Sequence, residues 1–547
     1  MKVLILNGKI IDGTGSKPYF GNLLIKDDRI ALIEKIDTAL SREAVKEKIA
    51  SFDADIVIDA DQKAVAPGFI DIHRHLDLAA VFDPDFGRLE LAQGITTALG
   101  GNCGLTPYPY TKAYGEQMMA YISPVVGSAP KGTRFSDYQS YYTALEKADP
   151  LIHTGTMLGT GSVRTAVKGY EKGPYTPEEM EKAKAYIREA MEAGAFGISM
   201  GIMYIPECYS SRRELVELAK EAAKYNRILT CHMRGEGDSL VSSTEEAIQI
   251  GREAAMPVNI SHFKSVGLKN WNKAIHKAIE KIEDARAAGQ EVTVDFYPYT
   301  GGATTLMSML PPDMVKSNVK DTLDELSSQR GFDRFKKEIY QDHDGWDNMV
   351  LNIGWDRIII SSLNQPANKE YMGMSLQEIA DDNGIDDPAD VMRELLVSEE
   401  GKVGVIQMSM SQEDVDTIAK LPYSKIISDA LYDDTDSPHP RLYGAFPKAI
   451  RDYAINRRIL PLETVIRKMT KMPAETFGIK GRGEIALGSY ADINIFDPQV
   501  FKDMATWKRP RQKAEGLDMT FLDGRLAWNE GRPTRAYKGG AIKVTGE

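Results

Sequence analysis

Pro67-Gly68-Phe69-Ile70-Asp71-Ile72-His73-Arg74-His75 combines an apolar strand pattern with two histidines that are two positions apart. Side chains at positions i and i+2 of a β-strand point to the same side, so His73 and His75 are predicted to face one common space at the end of this strand. A histidine by itself is more often an ordinary core or surface residue. Two at this spacing, directly after an apolar strand, favour a pair of metal ligands.

Further strand patterns also end in residues that can take part in chemistry. These are His232 after residues 228–231, His262 after 258–261, and Asp429 after 425–428. The chain has only eight histidines, and four of them end predicted strands, which makes unrelated loop histidines the weaker explanation. A carboxylate such as Asp429 can accept a proton from an attacking water. Its position alone is equally consistent with an exposed acid at the start of a loop.

Cys103 lies in the glycine-rich stretch Gly100-Gly101-Asn102-Cys103-Gly104, which follows the strand pattern at 95–99. The surrounding glycines allow unusual backbone dihedral angles, and a thiolate is a good zinc ligand. A buried cysteine is nevertheless more often inert packing. The residue on its own therefore does not decide between a ligand and a core position.

The middle of the chain alternates strand patterns with helix starts, which is typical of the α/β class. Capping-box sequences predict helices that begin after Thr176, after Ser211 and after Ser243. The alternation predicts a parallel sheet with helical crossovers. Eight candidate strands can be counted, the number in a (β/α)8 TIM barrel: 69–73, 95–99, 153–158, 196–200, 228–232, 258–262, 292–296 and 426–429. Segments 357–362 and 403–409 also have strand patterns.

The two ends of the chain differ from the middle, because both are rich in strand patterns and turn signals and neither alternates with helices. If the eight candidate strands form a barrel, residues 300–420 are an insertion before the last barrel strand. Insertions of this length commonly carry lids or substrate contacts.

The composition narrows the class of protein. The chain has 547 residues and a formal net charge of −12, so a nucleic-acid partner is not expected. We find no run of roughly 18 apolar residues, so no membrane association is expected. The apolar run at the start is too short for a signal peptide. Three cysteines, Cys103, Cys208 and Cys231, are too few for a disulfide framework, and a cytoplasmic protein is predicted.

Seven motifs together resemble a known family. They are residues 67–75, 100–104, 231–237 (Cys-His-Met-Arg-Gly-Glu-Gly), 261–264 (Ser-His-Phe-Lys), 295–299 (Asp-Phe-Tyr-Pro-Tyr), 439–444 (His-Pro-Arg-Leu-Tyr-Gly) and 483–493. The chain resembles the amidohydrolase superfamily and, within it, the D-aminoacylase (N-acyl-D-amino-acid deacylase) family. The resemblance implies a barrel at 63–480 and a small β-sandwich made of both chain termini, 1–62 and 481–547.

The resemblance also implies a set of functional residues. In many relatives in the superfamily a lysine from strand four bridges two metals, but residues 196–201 here contain no lysine. In D-aminoacylases a cysteine from strand two takes that place, which matches Cys103. The implied zinc ligands are Cys103, His232 and His262 in a tight site and His73 and His75 in a weaker one. The implied catalytic acid–base is Asp429, the α-carboxylate ligand is Arg441, and further substrate contacts are Lys264, Tyr204 and Tyr297.

The implied activity is zinc-dependent hydrolysis of the amide bond of N-acyl-D-amino acids, which are small-molecule substrates. Two alternatives remain. A cyclic amidase related to hydantoinase or dihydroorotase is disfavoured by the missing strand-four lysine and by the arginine motif at 439–444. A non-catalytic scaffold on the same fold is disfavoured because such proteins usually lose ligands, and this chain keeps the set. The preferred side chain and acyl group stay open.

Overall fold

The structure is a computed structural model that describes residues 1–51, 54–316, 319–343, 346–432, 437–534 and 537–544. The described part of the chain has an α/β architecture. Its strands are β1 (Lys2–Ile10), β2 (Tyr19–Lys26), β3 (Arg29–Ile36), β4 (Ile56–Asp59), β5 (Ala64–Pro67), β6 (Phe69–Asp71), β7 (Ile95–Gly100), β8 (His153–Thr156), β9 (Leu158–Gly159), β10 (Gly197–Gly201), β11 (Ile228–His232), β12 (Val258–Ile260), β13 (Val292–Phe296), β14 (Gly302–Thr305), β15 (Ile358–Ser362), β16 (Gly404–Gln407), β17 (Ser424–Ile426), β18 (Ile493–Phe496), β19 (Leu517–Leu522), β20 (Arg525–Asn529) and β21 (Arg532–Pro533).

The helices lie between these strands, and several begin after a residue whose side chain caps the first turn. They are α1 (Arg42–Ser51), α2 (Ala79–Phe82), α3 (Arg88–Ala92), α4 (Gly115–Val126), α5 (Tyr138–Ala148), α6 (Thr160–Lys168), α7 (Pro177–Ala193), α8 (Arg212–Ala223), α9 (Leu240–Ala254), α10 (Ala274–Ala287), α11 (Val319–Ser327), α12 (Gln329–Ile339), α13 (Met349–Ile353), α14 (Leu376–Asn383), α15 (Pro388–Ser398), α16 (Gln412–Lys420), α17 (Arg441–Ala449), α18 (Leu462–Met469) and α19 (Lys471–Phe477). Among the described residues, none of them combines the length and apolar composition that a membrane span requires.

Two of the three capping-box predictions are confirmed. Helix α7 follows Thr176 and α8 follows Ser211, and in both the hydroxyl accepts the backbone N–H of the residue three positions later. The third prediction is wrong, because α9 begins at Leu240 and Ser243 lies inside it. The Ser243 hydroxyl instead accepts the N–H of Gly235. The helix starts early because a tertiary contact, described below, stabilises the turn that precedes it.

The predicted parallel strands are present in two sheets. Strands β6, β7 and β8 are neighbours in one sheet, and the other has the order β17-β13-β12-β11-β10-β9; every pairing in both is parallel. The third candidate, 153–158, is interrupted at Met157 and supplies β8 to one sheet and β9 to the other. Several strands are shorter than predicted. Strand β12 ends at Ile260, so His262 lies two residues beyond it.

Hydrogen bonds connect the two parallel sheets at both edges. At one edge the N–H of Phe196 donates to the carbonyl of Thr156 at 3.1 Å. At the other edge the N–H of His75 donates to the carbonyl of Ala430 at 2.9 Å. The first and last predicted strands therefore lie side by side, and the residues that follow them reach the same end of the sheets.

The segment before β17 contains a separate antiparallel sheet in the order β14-β16-β15. The candidate strands 357–362 and 403–409 belong to this sheet, so they are not strands of the parallel sheets. The segment also has its own apolar core, which includes Leu306, Phe335, Ile358, Leu376 and Leu396. The antiparallel strands and short helices of this segment pack against one another, so their apolar side chains form a core separate from that of the parallel sheets.

The two ends of the chain form one nine-stranded mixed sheet, with the path β21-β20-β19-β18-β5-β1-β2-β3 and β4 paired to β1. The β-rich character predicted for both ends is confirmed. Antiparallel pairing of β5 with β18 joins them. Alternate residues of β1 point to opposite faces, as the strand period requires: Val3 and Ile5 enter one apolar cluster, whereas Leu4 and Leu6 pack with Val45 of α1 on the other face.

Candidate metal centre and active site

The six residues singled out at the strand ends come together in one buried cluster. His73 and His75 follow β6, Cys103 follows β7, and the others follow or end β11, β12 and β17. The exposed fraction is between 0% and 6% for each of them: His73, His75, Cys103, His232, His262 and Asp429. Parallel strands bring their carboxyl ends to the same edge, which is why residues so far apart in sequence meet here.

Short distances join the cluster at ligand atoms. The Sγ of Cys103 lies 3.3 Å from Nε2 of His73 and 3.5 Å from Nε2 of His262. Oδ1 of Asp429 lies 3.5 Å from Nε2 of His73 and 3.4 Å from Nε2 of His75. The rings of His232 and His262 have centroids 4.4 Å apart. Imidazole, thiolate and carboxylate atoms at these separations form a donor set suited to zinc.

Three overlapping groups within the cluster have ligand atoms that all lie within 4.8 Å of one another. They are His73 with Cys103 and His262, His73 with His75 and Asp429, and His232 with Glu236 and His262. His73 and His262 thus lie about equally close to Cys103. The resemblance, in contrast, assigns His73 to a separate metal site. The Nδ1 of His232 is buried without a hydrogen-bond partner in the described part of the chain, which leaves that atom free for a ligand.

The turns that aim these side chains use unusual backbone conformations. Cys103, His262 and Asp429 have φ values of 54°, 35° and 51°. Few residues other than glycine adopt this region, which costs on the order of 1–3 kcal/mol per residue. Local hydrogen bonds hold the turns in place: the N–H of His262 donates to Asp295, and that of Asp429 donates to the carbonyl of His73 at 3.0 Å. Such strain is a feature of functional sites.

The charges in the cluster favour a thiolate at Cys103. Burial raises the pKa of this thiol, but the positive charges of His73 and His262 lower it more, so the pKa lies well below its usual range. The thiolate is the form of cysteine that binds metals. The residues present therefore fit a zinc ion in donor type, and binding of the ion would displace the protons of His73 and His262.

Arg441 lies against the catalytic acid predicted from the sequence. Its Nη1 is 2.8 Å from Oδ2 of Asp429, and its guanidinium carbon is 4.7 Å from the centre of the Tyr297 ring. Burial raises the pKa of Asp429, but Arg441 first, and then His75, lower it more, so the pKa falls well below its usual value. Asp429 is therefore ionised. The Nε of Arg441 is buried without a hydrogen-bond partner among the described residues.

Arg441 is itself held by His439. The backbone N–H of Arg441 donates to Nδ1 of His439 at 3.0 Å, and Nε2 of His439 lies 2.8 Å from the carbonyl of Gly301. Since Nδ1 accepts, Nε2 carries the proton and donates to Gly301. Burial, followed by the charge of Arg441, holds the pKa of His439 well below its usual value, in agreement with this neutral form.

The remaining predicted contact residues also lie at the cluster. The ring of Tyr204 is 4.6 Å from that of His232, and Tyr297 lies under the guanidinium of Arg441. The Nζ of Lys264 is 2.8 Å from Nδ1 of His262 and donates to that residue's carbonyl at 2.9 Å. Lys264 is thus engaged with the cluster and not extended toward an open cleft.

Two acids at the cluster were not singled out from the sequence. Oε1 of Glu236 is 2.6 Å from Nζ of Lys264 and 3.0 Å from Nδ1 of His262. Oδ1 of Asp295 is 3.6 Å from Nδ1 of His73. Carboxylates that contact the outer nitrogen of a ligand histidine fix its tautomer and orientation. The available signals were an acid four residues after His232 and an acid inside the apolar strand β13.

Comparisons with known proteins identify the family of this chain. A sequence model described as the amidohydrolase family matches residues 56–309 and 425–527. D-aminoacylase of Alcaligenes xylosoxydans xylosoxydans is 31% identical over 543 residues, covering 99% of this chain and 98% of that protein. N-acyl-D-glutamate deacylase of the same organism is 30% identical, over 98% of this chain and 95% of that protein.

A solved structure shares the fold over the whole chain. The crystal structure of N-acyl-D-glutamate deacylase from Bordetella bronchiseptica, complexed with zinc and a phosphonate inhibitor, is 28% identical with a TM-score of 0.79 and covers 99% of each chain. The chain belongs to the amidohydrolase family. Within that family it is a member of the D-aminoacylase group, as the full-length matches show.

Proposed function

We propose that this protein is a zinc-dependent amidohydrolase that cleaves the amide bond of N-acyl-D-amino acids and releases a carboxylate and a free D-amino acid. The observation that carries the proposal is the position of Asp429. One carboxylate oxygen faces His73 and His75, and the other is 2.8 Å from Arg441. The position of Asp429 between these histidines and Arg441 supports a role in proton transfer beside an arginine that would bind the carboxylate of a linear N-acyl amino acid.

We also infer the finer architecture that frames this site. The parallel strands form one closed (β/α)8 barrel over residues 63–480, with residues 300–420 inserted before its last strand. The hydrogen bonds that connect the two parallel sheets at both edges support closure. The chain ends, 1–62 and 481–547, form the small β-sandwich domain, and the backbone hydrogen bonds from Ile30 to Ser489 and from Ala491 to Asp28, both 2.9 Å, support their association.

Zinc would be held by Cys103, His232 and His262, and a second, weaker site would use His73 and His75. When bound, zinc supplies a Lewis acid that polarises a carbonyl group and lowers the pKa of water to about 7. The buried thiolate of Cys103, which contacts histidines of both groups, supports a site for one or two ions.

The chain's own residues bind the substrate and move its protons. The fork of Arg441 matches a carboxylate bidentately and would hold the α-carboxylate of the substrate. Asp429 is ionised and would accept the proton of the attacking water, then donate it to the leaving nitrogen. Tyr204, Tyr297 and Lys264 lie at the cluster and would make further contacts to the substrate. Holding substrate and acid–base group together contributes to the rate by positioning.

The test is a release assay with N-acetyl and N-formyl derivatives of D- and L-amino acids, run beside a cyclic hydantoin and with the zinc content measured. We expect release of free D-amino acids. Release from L-isomers alone would contradict the stereochemistry, and opening of the hydantoin without amide release would indicate a cyclic amidase. Absence of turnover on every compound would favour a non-catalytic scaffold.

We further propose a cytoplasmic location. It rests on the three cysteines, which are free thiols in the structure. A nucleic-acid or membrane partner is not expected from the net charge of −12 and the apolar pattern.

A further inference from the structure

The insertion before β17 reaches the metal cluster through the carboxylate of Asp347, which precedes α13. Oδ2 of Asp347 accepts the backbone N–H groups of Glu236 and Gly237, each at 2.7 Å. Oδ1 accepts the N–H of Ser239 at 3.1 Å and its hydroxyl at 3.0 Å. Four hydrogen bonds thus join one side chain of the insertion to the loop that follows β11.

This loop, residues 235–239, is shaped for a carboxylate. A Cβ atom on Gly235 would lie 2.6 Å from Oδ2 of Asp347, and one on Gly237 would lie 3.2 Å from its Cγ. Only residues without a side chain allow the backbone to approach so closely. Backbone N–H groups that point at one centre form an anion-binding concavity, called a nest. The charge of Asp347 therefore stabilises this loop conformation. The contact also stabilises the turn at Ser239 from which α9 begins.

The loop carries Glu236 to the metal cluster. Glu236 is buried, with 5% of its surface exposed. Its carboxylate contacts Nδ1 of His262 at 3.0 Å and Nζ of Lys264 at 2.6 Å. The opposite nitrogen of His262, Nε2, lies 3.5 Å from Sγ of Cys103. A continuous path of contacts leads from Asp347 through Glu236 and His262 to Cys103.

We propose that Asp347 is a positioning residue for the metal site. Asp347 holds the backbone of Glu236 in place. The carboxylate of Glu236 can then orient the ring of His262 and pair with Lys264. The insertion and the metal cluster are then coupled, because the loop keeps its shape only while Asp347 occupies the nest. The part of this proposal that concerns turnover rests on the proposed function, whereas the part that concerns metal affinity does not.

The test compares Asp347→Ala with the unmodified protein. We expect the zinc affinity, measured by competition with a chelator, to fall by about 10-fold, the lower end of the range for direct partners of metal ligands, because Asp347 acts through Glu236. We expect kcat for an N-acetyl-D-amino acid to fall similarly and KM to change less. Amide hydrogen exchange at Glu236, Gly237 and Ser239 should become faster. The control is Asp382→Ala, which removes an exposed acid of α14 and should change none of these.

Chemical rescue separates positioning from general support of the fold. Formate carries the carboxylate that Asp347→Ala lacks, so added formate should restore part of the zinc affinity to that variant and add nothing to the unmodified protein. If Asp347→Ala does not fold, Asp347→Asn is used, because it keeps the shape but turns an NH2 group toward the nest; it should bind zinc more weakly than the parent.

Unchanged zinc affinity in either folded variant would overturn the proposal, even if the melting temperature fell. If the unmodified protein cleaves no N-acyl-D-amino acid, the proposed function fails, while zinc affinity and hydrogen exchange still decide the role of Asp347.

Discussion

Arg441 and Asp429 form an ion pair of 2.8 Å, between Nη1 and Oδ2, inside the buried site. The two residues have different predicted roles, since one binds the substrate carboxylate and the other transfers protons. Their contact means that Arg441, the proposed substrate-binding cation, also lowers the pKa of Asp429, the proposed acid–base group. Changes at one residue are therefore expected to affect the function of the other.

Replacing Arg441 with lysine should raise KM for N-acyl-D-amino acids by about 10–100-fold. Lysine keeps the charge but loses the fork that grips a carboxylate bidentately, and a charge-assisted hydrogen bond contributes about 1.5–3 kcal/mol. Steady-state kinetics measure the effect. The matched control is Arg457→Lys, because Arg457 makes a paired contact to Asp416 on the surface. Equal, small effects of both substitutions would remove Arg441 from carboxylate binding.

Replacing Asp429 with asparagine should abolish most turnover while the tight zinc site stays filled. Asparagine has nearly the same shape but cannot cycle a proton at neutral pH. Loss of one acid–base group costs about 10²–10⁴-fold in rate, and a role in both proton transfers puts this one at the upper end. The measurement is kcat beside zinc content. Near-normal kcat with full zinc would assign the base elsewhere, and loss of the tight zinc would make Asp429 mainly a ligand.

Cys103→Ala should lose most of its bound zinc. The thiolate is the softest ligand of the cluster and contacts both His73 and His262, so its removal leaves no thiolate between these two histidines. Metal analysis of the purified variant checks this prediction. Cys208→Ala serves as control, because burial raises the pKa of the Cys208 thiol to about 11. Undiminished zinc in the Cys103 variant would reject the ligand assignment.

Glu207 should make stability depend on pH. Burial raises its pKa from 4.5 to about 7, so the folded state keeps a proton that the unfolded chain loses. Stability from this group is full below the unfolded pKa and is lost as the pH rises from about 4.5 to 7. Glutamine resembles the protonated acid: its amide can donate to Thr160, and its oxygen can accept from Gly201, the present partners of the carboxylate.

The stability of the variant Glu207→Gln relative to the parent should therefore increase between about pH 5 and pH 8. A pKa shift from 4.5 to about 7 corresponds to roughly 3 kcal/mol in the free energy of unfolding. Thermal unfolding of both proteins at the two pH values measures the difference in their stability. The pH dependence of all other groups is common to both proteins and cancels in this difference. Glu280→Gln changes an exposed acid of α10 and should show no such trend. A difference that stays constant with pH would mean that Glu207 is ionised in the folded protein.

The sequence by itself determined the α/β class and most of the cluster. A strand period of two puts His73 and His75 on one side, and parallel strands bring their carboxyl ends together, so ligands at strand ends meet whatever the distance along the chain. The motifs then identified Cys103, Asp429 and Arg441 through resemblance. The strand period and the motifs each involve residues that are close together in the chain, so they can be recognised in the sequence.

Only the tertiary structure decided how these residues contact one another. It placed His73 beside Cys103, paired Arg441 with Asp429, and began α9 at Leu240 instead of after Ser243. It also brought Asp347 to Glu236 across 111 positions. A hydrogen bond between such distant residues forms only when the intervening segment folds back as a whole. No spacing in the sequence records that closure, because it depends on how two separately packed parts of the chain meet.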